Sequence, residues 1–119
     1  MLKFFRNKIN KNKEGSAEFR LAFAMRIKNK RIRYVSERTA DGETGEMTDT
    51  ILGKEGYFNI NRNNELEIHL AGQGEALFRA YIPELAGSEL LSLEGAVLEG
   101  VDLISGRHRK IIAYYKYYR

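Results

Sequence analysis

The sequence predicts a mainly β, β-rich α+β fold: a small barrel or bent antiparallel roll of about seven or eight strands, with one short helix near residues 83–91. Three observations carry this. Apolar residues recur at period two in several short runs. Turn signals rich in Gly, Asn and Asp separate those runs at short intervals. The single proline, Pro83, stands where a short helix would begin, and its missing N–H is not needed there. A chain of 119 residues with 43% hydrophobic and 30% charged side chains is long enough for one core, so residues 1–119 are expected to form a single domain.

The opening "MLKFFRNKINKNK" puts Leu2, Phe5 and Ile9 at helical spacing among Lys3, Arg6 and Lys8. Residues 1–15 are expected to fray or to cap an open barrel end. A membrane surface is the less favoured partner for such a basic amphipathic start. No apolar core follows the charges, so it does not read as a secretory signal, and no apolar run approaches the length of a membrane span.

In "EFRLAFAMRIKNKRIRYVS", Phe19, Leu21, Phe23, Met25 and Ile27 alternate with polar or small residues, and the parity flips after Asn29-Lys30 to Ile32 and Tyr34. This predicts a hairpin turning at Asn29-Lys30. The rival is a helix, because Phe19, Phe23 and Ile27 also fit i, i+4. The hairpin register places Lys28 opposite Arg31 and Arg26 opposite Arg33. Like charges set directly opposite are destabilising, so Arg26, Lys28, Arg31 and Arg33 form a candidate surface for an anion or a partner.

"SERTADGETGEMTD" reads as a polar acidic loop. Its "DGETGE" is similar to the acidic tight-turn motif by which some eukaryotic transcription factors are captured for degradation; the resemblance covers six residues of common turn chemistry. "ILGKEGYFNINRNNELEIHL" reads as a short strand, a turn at Gly53 to Gly56, a strand through Tyr57, Phe58 and Ile60, a turn at Asn63-Asn64 and a strand Glu65 to Leu70. In that last strand Leu66, Ile68 and Leu70 face one way and Glu65, Glu67 and His69 the other. "EALFRAYI" continues the period-two pattern, and "PELAGSELL" is the expected helix. The end reads as a long hairpin around Ser105-Gly106. A two-residue loop there pairs Asp102 with Arg109, Gly100 with Ile111 and Ala96 with Tyr115.

In "RKIIAYYKYYR" both faces of the strand are apolar or aromatic. Such a strand is covered on both sides, or it lies at an edge that another chain covers. Tyr114, Tyr115, Tyr117 and Tyr118 are therefore the candidate interface. The strand count is similar to that of a bacterial pleckstrin-homology-like barrel, from which the helix expected before the last hairpin departs.

The net charge of +4 is unevenly spread: residues 1–36 carry +9, residues 37–100 carry −9 and residues 101–119 carry +4. Either the basic ends pack on the acidic middle, or they meet an external anion. The chain has no cysteine, which excludes disulfides, thiolate nucleophiles and cysteine zinc sites and suits a cytoplasmic setting. His69 and His108 lack a partner at metal-ligand spacing, and no nucleophile elbow, Walker loop or dinucleotide fingerprint is present. No catalytic residue, metal or cofactor is assigned, and the chain is not expected to be an enzyme. The favoured function is a binding or scaffold module that acts through protein contact or self-association. The alternatives are nucleic-acid binding through residues 26–33 and the C-terminal strand, and a small enzyme of unidentified chemistry.

Overall fold

The computed structural model describes residues 17–90 and 94–116. They form an α-helix, α1 (Ala17–Ile27), and seven strands: β1 (Arg31–Ala40), β2 (Met47–Ile60), β3 (Glu65–Leu70), β4 (Phe78–Tyr81), β5 (Ala86–Glu89), β6 (Gly95–Val101) and β7 (His108–Tyr114). All pairings are antiparallel, in the order β4-β3-β2-β1-β7-β6-β5.

The curl of this sheet follows from one connection. β4 and β5 are its two edge strands, yet only residues 82–85 join them. That link reaches at most about 18 Å, whereas the edges of a flat seven-stranded sheet lie roughly 29 Å apart. The sheet must therefore roll up until its edges approach. It stops short of closing, so the fold is a bent roll. The outer edge of β4 is met by the β6–β7 turn: Leu103 N–H donates to the Arg79 carbonyl at 2.7 Å, and Arg79 N–H donates to the Asp102 carboxylate at 3.2 Å.

The mouth of the roll is covered by α1, where the sequence predicts a strand. "AEFRLAFAMRI" is dominated by Ala, Leu, Met, Glu and Arg and holds one β-branched residue, Ile27, so intrinsic propensity favours a helix. Glu18 in the first turn and Arg26 in the last complement the helix dipole. Phe23, Ala24 and Ile27 are buried, while Leu21 and Met25 face solvent. The hairpin at Asn29-Lys30, with its row of opposed cations, is thereby replaced by a helix end, where Lys30 N–H donates to the Ile27 carbonyl at 2.9 Å. The helix expected near 83–91 shrinks to one 3-10 turn, Ile82–Glu84, and Ala86–Glu89 becomes edge strand β5. A helix there would remove one of the two strands that flank β6. It would also forgo the contact at Gly87, where an added Cβ would lie 2.3 Å from the Phe23 ring.

The acidic loop of residues 36–49 is the outer half of a long β1–β2 hairpin. The glycines at 53 and 56 mark an irregularity rather than a turn. The β1–β2 register shifts between Val35 and Ser36, and Glu55 adopts φ 57°. A Cβ on Gly56 would lie 2.4 Å from the His69 carbonyl oxygen, so glycine is needed for β3 to approach. The Asn turn and β3 fall where the sequence places them. Asn61 N–H donates to the Glu65 carbonyl at 3.1 Å, and Asn64 takes φ 62°. Leu66, Ile68, Phe78, Ile82, Leu85, Leu98, Ile111 and Ile32 are fully buried and form the centre of the core.

The last hairpin forms with a longer turn than expected. Asp102 N–H donates to the Arg107 carbonyl at 2.8 Å, and the register sets Gly100 opposite Arg109 and Ala96 opposite Ala113. The Asp102–Arg109 ion pair nonetheless forms, at 3.0 Å.

Candidate functional site

The four cations near the chain start occupy two elements. Arg26, on α1, pairs with Glu89 of β5 at 2.5 Å. Lys28 follows the helix. Arg31 and Arg33, on β1, lie 3.3 and 3.6 Å from Glu55 of β2. Three of the four thus have a carboxylate partner from the acidic middle of the chain, as charge neutralisation within one fold requires.

The C-terminal strand β7 is central, between β1 and β6, and not at an edge. Tyr114 stacks on Tyr34 of β1, with ring centroids 4.3 Å apart. Burial raises the Tyr34 pKa, with a smaller contribution from Tyr114. Tyr115 points the other way and packs against the core, and burial pushes its pKa well above the usual value. Tyr117 and Tyr118 lie outside the described residues.

Cross-strand partners share a face. On the outer face, away from α1, the pairings align Ile51, Ser36, Ile112, Val97 and Ser88 in one row across five strands; Ser36 and Ile112 are buried, and Ile51 and Ser88 are exposed. Lys54, Tyr34, Tyr114 and Gly95 form the adjacent row. Arg38 and Asp49 lie beyond Ile51, held together by two hydrogen bonds of 2.7 and 2.9 Å. Ile51 is 59% exposed and Met47 54% exposed. This surface runs onto the outer half of the β1–β2 hairpin, an arm whose residues 39–51 are all exposed.

Two buried ion networks form, of which the sequence anticipates only the Asp102–Arg109 pair of the second. In the first, the Glu67 side chain is 8% exposed and accepts from Asn59 and His69 on Oε1 and from Arg79 and Asn61 on Oε2. Burial works to raise its pKa, but those hydrogen bonds outweigh it and hold the carboxyl down at about 2. An ionised carboxylate only accepts, so His69 donates through Nε2. Tyr57, half exposed, stacks on the imidazole with centroids 5.1 Å apart. His69 and Arg79 line a shallow hollow of about 330 Å3 together with Gly74, Glu75, Ala76 and Ile104. The period-two pattern had put Glu65, Glu67 and His69 on one face. The missing signal was Asn59 and Arg79 on the neighbouring strands, which only the pairing brings alongside.

In the second network, Arg109 donates to Glu37 at 3.0 and 2.7 Å and to Asp102 at 3.0 Å, with 11% of its side chain exposed. The hydrogen bond from Arg109 lowers the Glu37 pKa. Burial works to raise that of Asp102, and hydrogen bonds from Ile104, Ser105, Arg109 and Arg79 overcome it. Every carboxylate oxygen in this set is used within the protein. Among the described residues no three His, Asp or Glu side chains converge as a metal site would need, and no helix is long and apolar enough to cross a membrane.

Comparison of the chain with protein families, with curated proteins and with solved structures gives no match.

Proposed function

We propose that this chain is a non-enzymatic binding or scaffold module that works through protein contact or self-association. The observation that carries this reading is the exposed apolar patch of the outer face on the arm: Met47 and Ile51 are more than half exposed and the partly buried Tyr34–Tyr114 stack lies in the adjacent row, whereas Ser36 and Ile112 beside Ile51 are buried. Apolar side chains gathered on one solvent-facing patch, rather than scattered singly, characterise interaction surfaces. The ionisable clusters favour it indirectly, because Glu67, Glu37 and Asp102 already have their hydrogen-bonding capacity taken up inside the fold.

The test is affinity purification of the tagged full chain under native conditions, beside a Met47→Lys/Ile51→Lys variant. Both positions are exposed, so the variant keeps its fold, as checked by circular dichroism. Recovery of a stoichiometric protein complex with the wild type and its loss with the variant is the expected result. Recovery of the chain alone in both cases, monomeric by size-exclusion chromatography, overturns the reading.

A second reading, nucleic-acid binding, is favoured by one observation. Arg31, Tyr57 and His69 form a row on one face, with the exposed Tyr57 ring available for stacking. Titration of a fluorescent single-stranded oligonucleotide at two salt concentrations decides it. Salt-sensitive binding lost in Tyr57→Ala supports it, and absence of binding at low salt removes it.

A further inference from the structure

Among the described residues three stretches of strand edge are four residues or longer, and two are protected; on the β7 side of the arm β1 leaves only the short Arg38–Ala40 unpaired. The outer edge of β4 is hydrogen-bonded to the β6–β7 turn. β5 is four residues long and lies under α1, tied to it by Arg26–Glu89. The third is long. β2 pairs with β1 from Met47 to Tyr57, whereas β3 pairs only with Gly56–Ile60, and Ala71 N–H takes the Glu55 carbonyl at 2.7 Å. From Met47 to Lys54, about 27 Å of β2 therefore has no strand beside it among the described residues. Unpaired edges of this length are ordinarily blunted by proline, lysine or a strong bulge. Here the segment "MTDTILGK" has no proline, its only aspartate is held by Arg38, its one lysine stands at the far end of the stretch, and its irregularity is confined to Leu52.

We infer that the partner of this module is a second copy of the same chain, added antiparallel along the Met47–Lys54 edge of β2; this rests on the protein-contact reading above. Two features of the edge select a second copy over an unrelated strand. The segment carries one Asp and one Lys, so pairing with itself sets no net charge against net charge. Antiparallel pairing about a twofold also sends the arm tip of each copy, with Asp41, Glu43 and Glu46, toward the end of the partner's sheet. That end carries Lys54, Arg31 and Arg33 against the single carboxylate Glu55, so an acidic tip meets net basic charge twice over. With Thr50 facing Thr50 of the second copy across the twofold, Ile51 lies beside the axis on the outer face, and the exposed Ile51 side chains of the two copies come near each other.

The experiment is sedimentation of the full chain from low micromolar to submillimolar concentration, with Ile51→Lys as the variant. A reversible dimer is expected, with dissociation strengthened at least about tenfold by the substitution, because each copy would place a lysine beside the twofold in place of an apolar contact. A second measurement locates the contact. The chain has no cysteine, so a Thr50→Cys variant reports on that position alone. Antiparallel neighbours lie about 4.5–5.5 Å apart between Cα atoms, within the range a disulfide spans. Mild oxidation should link Thr50→Cys and leave a Ser88→Cys control unlinked. A monomer throughout, or a dimer that ignores Ile51→Lys and fails to link through position 50, overturns the inference. If a different protein then still binds and is lost in the Met47→Lys/Ile51→Lys variant, the binding-module reading stands without it. If neither is found, both fall.

Discussion

Glu67 shows what a single side chain contributes when every lone pair is used. Replacing it with Gln leaves the volume unchanged but turns one accepting oxygen into a donor that faces Arg79 and Asn61, or His69 and Asn59. The buried network then holds an unmatched cation, and Glu67→Gln is expected to cost about 2–3 kcal/mol at neutral pH. The pH dependence gives a second check. The folded-state pKa, about 2, lies below the ordinary value of 4.5, so between these limits the unfolded chain binds the extra proton. The stabilisation from Glu67 is fully present above about pH 4.5 and fades as pH falls toward 2. Urea denaturation of both proteins should show the gap between them narrowing over that window. A gap of constant size from pH 6 to pH 2.5 would refute the ionised, four-donor description.

At the scale of elements, two turns share one design. In "DGETGE" Asp41 Oδ1 accepts from Glu43 and Thr44 N–H, Thr44 Oγ1 accepts from Glu46 N–H, and Gly45 takes φ 74°. In "DLISGR" the Asp102 carboxylate accepts from Ile104 and Ser105 N–H, Ser105 Oγ accepts from Arg107 N–H, and Gly106 takes φ 75°. Both close with an N–H from Gly to the Asp carbonyl, at 2.9 and 2.7 Å. The chemistry is the same, and the setting makes the difference. Asp41 is in solvent, whereas Asp102 is fully buried, anchors the edge of β4 and neutralises Arg109. Asp102→Ala is expected to cost about 3 kcal/mol or more by leaving the Arg109 guanidinium partly unpaired, while Asp41→Ala produces only a small loss. Within the first turn, Gly45→Ala should destabilise by about 1 kcal/mol through its left-handed backbone, and Gly42→Ala, which meets open space, should not. Thermal unfolding of the four variants ranks them.

Across the whole molecule, protection from exchange should follow pairing on both sides. β1 from Tyr34 to Glu37, β7 from Ile111 to Tyr114 and β6 from Ala96 to Leu98 are paired on both sides inside the sheet, and their amides are expected to exchange slowest. The arm, residues 39–50, is exposed throughout and should exchange fastest in dilute protein. Hydrogen-exchange mass spectrometry at two concentrations joins this to the dimer: slowing confined to residues 47–54 in concentrated protein marks the contact edge. Uniformly slow exchange across the arm in dilute protein would contradict the fold description.

Several features are decided locally, and the sequence by itself determined them. β3 and its asparagine turn, the two-faced pattern of Leu66, Ile68 and Leu70 against Glu65, Glu67 and His69, the final hairpin and the Asp102–Arg109 pair all rest on period-two patterning and turn chemistry within a few residues. The mainly β class follows from the same signals. What only the tertiary structure decided is where a local pattern fits two answers. "EFRLAFAMRI" satisfies both period two and i, i+4. The choice of helix follows from its weak β-propensity and from the open mouth of the roll, which needs a cover that can bury Phe23 and Ile27 against Gly87 and the link after β4. The register of the last hairpin turned on the Asp102 carboxylate reaching Arg79, 23 residues away in sequence. That β2 has no strand beside Met47–Lys54 among the described residues turned on β3 being shorter than β1, a difference in partner length that no residue of β2 encodes.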